Sequence, residues 1–217
     1  MKITDIAYQI IIVCGDLFTI SVFNKEPPPE ITHDGLVRKH DSNNALAYVS
    51  PDADFSRYKK VAIMDVYVAF QKYWNREHRG ISKSEMVCIK RRIKNLFRNV
   101  FVDVLEEGGY PVVYGQGDDV LLIRPAIIDL DITVPDVQKT GRRRTYAANA
   151  GVATLYVELF DSNTSAILAR AIDPKARRNN YGNWRMTGTS GANSAEAHRV
   201  IKGWATLLRD ALNRVQR

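Results

Sequence analysis

Few residues in this chain have types and spacing that could do chemistry, and the first to weigh is the pair Asp129 and Asp131. Two residues apart on an extended strand, both carboxylates point to one face at a separation of about 7 Å. Paired acids so placed can hold a metal or divide general-acid and general-base work, which would make a hydrolase. The neighbours suggest something plainer. Ile128, Leu130, Ile132 and Val134 alternate with Asp129, Asp131 and Thr133, as in a strand with one face on a core and one in water, and no histidine or third acid lies nearby in sequence. Gly115-Gln116-Gly117 has two glycines of a phosphate-cradling loop. It lacks the third glycine and a lysine, and it precedes a strand instead of opening a helix, so it reads as a turn.

His33, His40, His78 and His198 are scattered, with no triad or metal-ligand spacing, and read as surface residues. Two cysteines, Cys14 and Cys88, support neither a disulfide framework nor a zinc site. Cys88 falls inside a helical pattern and is expected to be buried and inert, although Lys90, Arg91 and Arg92 follow closely. The residues thus predict no catalytic constellation, no metal and no cofactor.

The basic residues are more informative. Residues 1–135 hold 17 Lys+Arg against 18 Asp+Glu, whereas residues 136–217 hold 14 against 6, so the net charge of +7 belongs to the C-terminal part. It is densest in Lys139 to Tyr146 and in Lys175 to Arg185, where Tyr146, Tyr181 and Trp184 mix with arginines. Arg142, Arg143, Arg144, Lys175, Arg177 and Arg178 are the candidate anion-binding residues. Arginine mixed with aromatics suits an acidic lipid surface or a single-stranded nucleic acid, and the absence of a recognition motif makes nucleic acid the alternative.

The elements that must position these groups follow from periodicity. Residues 35–57 are rich in breakers and predict loops. Lys60 to Phe70 predicts one strand buried on both faces. Ser82 and Glu85 form a capping box ahead of Met86, Ile89, Ile93, Leu96, Phe97, Val100 and Val104, and Gly108-Gly109 ends that helix. Burying seven such side chains contributes roughly 10–14 kcal/mol before entropy is subtracted, so the helix must lie on a sheet. Tyr110 to Tyr114 predicts a short strand turned into Val120 to Arg124, with Pro125 interrupting before Ile128 to Val134. Val152 to Phe160 and Ala166 to Ile172 form a hairpin through Asp161 to Ser165. A last helix, capped by Asn193, carries the stripe Ala197, Val200, Ile201, Trp204, Leu207, Leu208, Ala211, Leu212 and Val215. This order predicts an α+β fold, a mostly antiparallel sheet with two amphipathic helices packed on one face.

The start of the chain is separate in character. Ile10 to Val13 follow Lys2 and precede Cys14, a partial likeness to a lipoprotein signal in which Asp5 and Gln9 interrupt the apolar stretch and Val13 stands where a small residue is usual. Pro27-Pro28-Pro29 then makes a stiff spacer. Residues 1–33 read as an N-terminal extension and residues 34–217 as a single domain.

Asp34-Gly35-Leu36, the run Tyr48 to Val61 with Ser50-Pro51-Asp52 and Arg57-Tyr58, Asp119-Val120-Leu121, Arg124-Pro125-Ala126-Ile127, Glu158 to Ser162, Asp173 and the Trp204 helix together carry a resemblance. Over residues 34–215 the chain resembles the bacterial family known as domain of unknown function 3313. The resemblance implies a cell-envelope protein on the periplasmic side, lipid-anchored at the outer membrane through the position of Cys14, and it supplies no catalytic residue. The resulting expectation is a non-enzymatic binding or scaffold domain that meets an envelope protein or the anionic membrane surface. A cytoplasmic nucleic-acid-binding domain would follow if the N-terminal signal does not function.

Overall fold

A computed structural model of the chain describes residues 27–40, 46–77, 81–131, 152–173 and 190–216. Among these residues, β1 (Val37–Lys39), β2 (Leu46–Val49), β3 (Lys60–Ile63), β4 (Tyr67–Phe70), β5 (Val120–Asp131), β6 (Val152–Asp161) and β7 (Ile167–Asp173) form one sheet. The helices are α1 (Trp74–Glu77), α2 (Lys83–Glu107) and α3 (Ser190–Val215). The strand order is β1-β2-β7-β6-β5-β3, with β4 also on β5.

The class is α+β, but the sheet is mixed. β3 and β4 run parallel to β5, while the pairs β1–β2, β2–β7, β5–β6 and β6–β7 are antiparallel. The connection explains the departure from a mostly antiparallel expectation: α1 and α2 lie between β4 and β5, and a helical crossover returns the chain in the same direction. Residues 110–114 therefore do not pair with β5 as a hairpin. Val112 makes a single parallel bridge to Val61 instead.

Sheet register assigns the two faces. Val61, Leu121, Leu159 and Ile123, Val68 with Ile127, and Leu155 and Val157 share the face that meets Phe97, Val100, Phe101, Val104 and Leu105 of α2 and Ile201, Trp204, Ala205 and Leu212 of α3. Both amphipathic helices thus lie on one face. The α2 capping box is present: Glu85 N–H donates to Ser82 Oγ at 3.2 Å and Ser82 N–H to Glu85 Oε2 at 2.7 Å. Phe101 and Leu105 widen the stripe read from sequence, and Phe97 stacks on Phe101 at 3.9 Å between centroids.

Three boundaries differ from the sequence reading. Residues 35–57 contain β1 and β2, whose three- and four-residue lengths are too short to show an alternation. The helix expected to start at an Asn193 cap begins at Ser190. The run Lys60 to Phe70 is two strands, because an extra residue around Met64–Val66 shifts the pairing from Ile63↔Ile123 to Tyr67↔Ala126.

That break accommodates Pro125, around which β5 continues. Met64 N–H donates to Ile123 O at 2.9 Å, so alternation along β5 directs the position of the missing Pro125 N–H toward the gap between β3 and β4. A second irregularity follows at Asp129, whose φ of 51° marks a bulge, and pairing resumes at Phe70↔Leu130 and Asp131↔Val152. The regular two-residue repeat is lost there, so Asp129 and Asp131 are not a simple same-face pair. No described helix is long and apolar enough to cross a membrane.

Candidate interaction surface

Opposite the helices, the sheet carries a row of polar residues in register across five strands: Arg38↔Tyr48↔Arg170↔Glu158↔Arg124. Each charged member of β5, β6 and β7 interrupts an otherwise apolar strand, which is the sequence signal for a buried ion pair. Glu158, 3% exposed, is saturated with donors. Its Oε1 accepts from Tyr156 Oη at 2.7 Å and Arg170 Nε at 2.9 Å, and its Oε2 accepts from both Nε, at 2.8 Å, and a terminal nitrogen of Arg124. Arg124 also lies over the Phe160 ring at 4.4 Å.

Arg170 continues the row to Asp34 through a two-pronged pair, at 3.2 and 2.5 Å. Asp34 reaches it from a turn in which Gly35, at φ 81°, supplies the left-handed residue and Thr32 Oγ1 donates to Asp34 at 2.5 Å. Burial raises the Asp34 carboxyl, but the hydrogen bonds from Arg170 and Thr32 outweigh it and hold the group below its ordinary value. Burial likewise pulls the Arg170 guanidinium down, and its bonds to Asp34 and Glu158 turn the net shift upward. With each carboxylate engaged by a guanidinium, the row fastens the Asp34 turn to the sheet, and Glu158 offers no idle base to a substrate.

A second buried carboxylate closes the other end of the hairpin. Asp161 accepts from Thr164 N–H at 2.8 Å and Asn163 N–H at 3.0 Å, capping the β6–β7 turn, and from Tyr58 Oη at 2.8 Å and an Arg57 terminal nitrogen at 3.0 Å. The Thr164 backbone bond leads the causes that take its pKa to about 2, against the opposing effect of burial. Burial and then the bond to Asp161 push Tyr58 up to about 12. Gln216 Nε2 donates to Tyr58 O at 2.8 Å, so the end of α3 is held at the same place.

The expected anion-binding residues Arg142, Arg143, Arg144, Lys175, Arg177 and Arg178, and the lipidation candidate Cys14, lie outside the described residues, as does His78. The points at which their segments attach are described. Asp131 pairs with Val152, and Asp173 with Leu155, so residues 132–151 and the stretch after Asp173 are attached at one end of the sheet. Gln71 N–H donates to Leu130 O at 3.0 Å, which puts the turn after β4 at that end too. Among the described residues no group of His, Cys, Asp and Glu could hold a metal ion. His33, His40 and His198 are exposed, with His40 paired to Glu30 at 3.0 Å. Cys88 is half-buried, not enclosed, with Arg91 donating toward its Sγ at 3.9 Å. On α2, Arg91 and Lys94 are exposed, whereas Arg98 lies over the Tyr114 ring and donates to Ile63 O at 3.4 Å.

Several of the residues that carried the family resemblance belong to these two networks: Asp34, Tyr48, Arg57, Tyr58, Arg124, Glu158 and Asp161. A sequence profile of the family described as protein of unknown function DUF3313 matches residues 30–208. The chain belongs to that family. No curated protein matches it in sequence. Among solved structures, it is similar to a PelC dodecamer from Paraburkholderia phytofirmans at 14% identity, over 76% of this chain and 97% of that one, with a TM-score of 0.38. It is also similar to a PDZ domain protein from Parabacteroides distasonis at 13% identity, over 76% of this chain and 34% of that one, with a TM-score of 0.40. A DUF4136 family protein from Bacteroides thetaiotaomicron is similar at 11% identity, over 78% of this chain and 97% of that one, with a TM-score of 0.36.

Proposed function

We propose that this DUF3313 protein is a non-enzymatic binding domain of a bacterial cell envelope, tethered through Cys14, that meets an anionic membrane surface with the basic end of its sheet. The observation that carries this reading is the coincidence of charge and topology. Residues 132–151 hold Lys139, Arg142, Arg143 and Arg144 against Asp136, and residues 174–189 hold Lys175, Arg177, Arg178 and Arg185 against no acid. Together they account for the whole net charge of +7, and their attachment points, Asp131, Val152 and Asp173, share one end of the sheet. Basic residues near an anionic leaflet are worth about 1 kcal/mol each and are screened within a Debye length.

The test is co-sedimentation of the purified chain with vesicles of phosphatidylcholine alone or mixed with phosphatidylglycerol. Binding is expected only to the anionic vesicles, to weaken with added salt, and to be lost when Arg142, Arg143, Arg144, Lys175, Arg177 and Arg178 are replaced by alanine. Equal binding to neutral vesicles, or none to anionic ones, refutes the reading. Tyr146, Tyr181 and Trp184, interleaved with these arginines, favour single-stranded nucleic acid as the second reading. Tight, salt-sensitive oligonucleotide binding without vesicle binding would establish it. Mass and fractionation of the protein from its host test the tether, with cleavage before Cys14 and added acyl mass as the expected result.

A further inference from the structure

At the end where the basic segments attach, the turn after β4 holds Tyr73 with a left-handed backbone and an exposed side chain. Its φ of 69° is left-handed, a region that bulky side chains adopt only under constraint. Yet the residue is 51% exposed, so little packing compensates for the strained backbone. The turn is fixed from beneath by Trp74, which is 1% exposed and stacks on Phe70 at 4.3 Å. Trp74 N–H donates to Gln71 O at 3.1 Å and Arg76 N–H to Tyr73 O at 2.8 Å. Two cations flank the exposed ring, Arg76 at 4.7 Å and Lys72 at 5.2 Å from its centroid, and Lys90 lies 5.5 Å from the Phe70 centroid. Among the described residues none of these three cations has a carboxylate partner. Val87, in the second turn of α2, is 64% exposed and adds apolar surface to the N-terminal part of that helix.

We infer that Tyr73, with Lys72 and Arg76 beside it, is an interfacial anchor that seats this end of the molecule in the headgroup region of an anionic bilayer. The inference rests on the proposed membrane contact and names the described residues that would make it. An aromatic ring with a polar tip, flanked by long cationic side chains, matches the two layers of a membrane interface: the ring and the aliphatic stems enter the headgroups while the charges meet lipid phosphates. Charge complementarity selects an anionic surface. The geometry fits a bilayer better than a nucleic acid, because successive bases need successive stacking platforms and the neighbouring rings of Phe70 and Trp74 are already stacked on each other.

Tyr73→Gly separates anchoring from folding. Glycine adopts the left-handed backbone freely, so a residue kept for structure alone would leave the variant bound to vesicles like the wild type. An anchor instead predicts that the variant melts at the wild-type temperature or above while its affinity for phosphatidylglycerol vesicles falls roughly fivefold to tenfold, the share of one aromatic ring. Lys72→Ala with Arg76→Ala should lower the same affinity by about tenfold or more at low salt. Tyr73→Trp should keep binding and add a fluorescence component quenched by lipids labelled near the headgroup, beyond the quenching of wild-type tryptophans. Wild-type vesicle affinity in Tyr73→Gly, or no added quenching in Tyr73→Trp, overturns the anchor while leaving the proposed function intact. Absence of vesicle binding in the wild type removes both. Oligonucleotide binding lost in Tyr73→Gly, with vesicles bound by neither protein, assigns the patch to nucleic acid and overturns the inference.

Discussion

Asp161→Asn isolates one charge in a site where almost everything else can be kept. The asparagine Oδ1 can still accept from the Asn163 and Thr164 N–H groups that Asp161 caps at 3.0 and 2.8 Å, so what is lost is the negative charge that strengthens those bonds, the Thr164 N–H first, and that pairs with Tyr58 and Arg57. Lowering the carboxyl from 3.8 to about 2 makes the folded state prefer the carboxylate, a preference worth about 2 kcal/mol. Because the folded value is the lower one, this stability is fully present above the unfolded value of 3.8 and is lost as pH falls through it toward about 2. Asp161→Asn is therefore expected to cost about 2 kcal/mol at neutral pH and progressively less below about pH 4. Urea unfolding of both proteins followed by circular dichroism across that range measures the difference, and the titration of all other carboxylates cancels in it. A gap between wild type and variant that stays the same from neutral pH to about pH 3, or that is already near zero at neutral pH, refutes the assignment of Asp161 as an ionised staple.

Glu158→Ala should be the most destabilising substitution in the polar row, by about 3–5 kcal/mol in urea unfolding, since it strips Arg124 of its counter-charge and leaves Arg170 with Asp34 alone in a mostly buried site. Glu158→Gln should lose less, because it keeps the shape and one acceptor. Ser82→Ala removes the acceptor of the Glu85 N–H and should cost about 1 kcal/mol, read as a lower melting temperature with helix content retained.

Legibility in the sequence followed the length and regularity of each element. α2, with its capping box, and the β6–β7 hairpin were readable because each repeats its pattern over several turns or residue pairs. β1 and β2 were not, since three or four residues cannot display a period, and the place of β2 beside β7 is fixed by Tyr48↔Arg170, a partner far along the chain. The parallel pairing of β3 and β4 with β5 was hidden for a related reason. Apolar runs do not state their direction, and a turn-like Gly115-Gln116-Gly117 invited a hairpin where the chain had already crossed over through α2. Pro125 looked like an interruption of β5 because the break in the neighbouring strand that admits it lies sixty positions earlier in the pairing, between Ile63↔Ile123 and Tyr67↔Ala126. At the site, the basic character of the C-terminal part was plain from composition. That its two densest stretches attach to one end of the sheet needed the register of Asp131↔Val152 and Leu155↔Asp173. Tyr73 carried no signal at all, since its exposure and left-handed backbone are properties of the folded turn.

The two long helices bring their C-terminal ends together: Gly108 packs against the Arg209 side chain, and Tyr110 Oη donates to Asn213 Oδ1 at 3.1 Å. Antiparallel neighbours would cancel their macrodipoles, but here two ends, each equivalent to about half a negative charge, coincide beside Tyr58 and Asp161. The opposite end of α2 lies where Lys90 meets Phe70, so its positive end lies at the end of the sheet that holds Asp131, Val152 and Asp173. The two helix dipoles thus add along the strands instead of cancelling, so a charged partner at either end of the sheet would feel the sum of both helices.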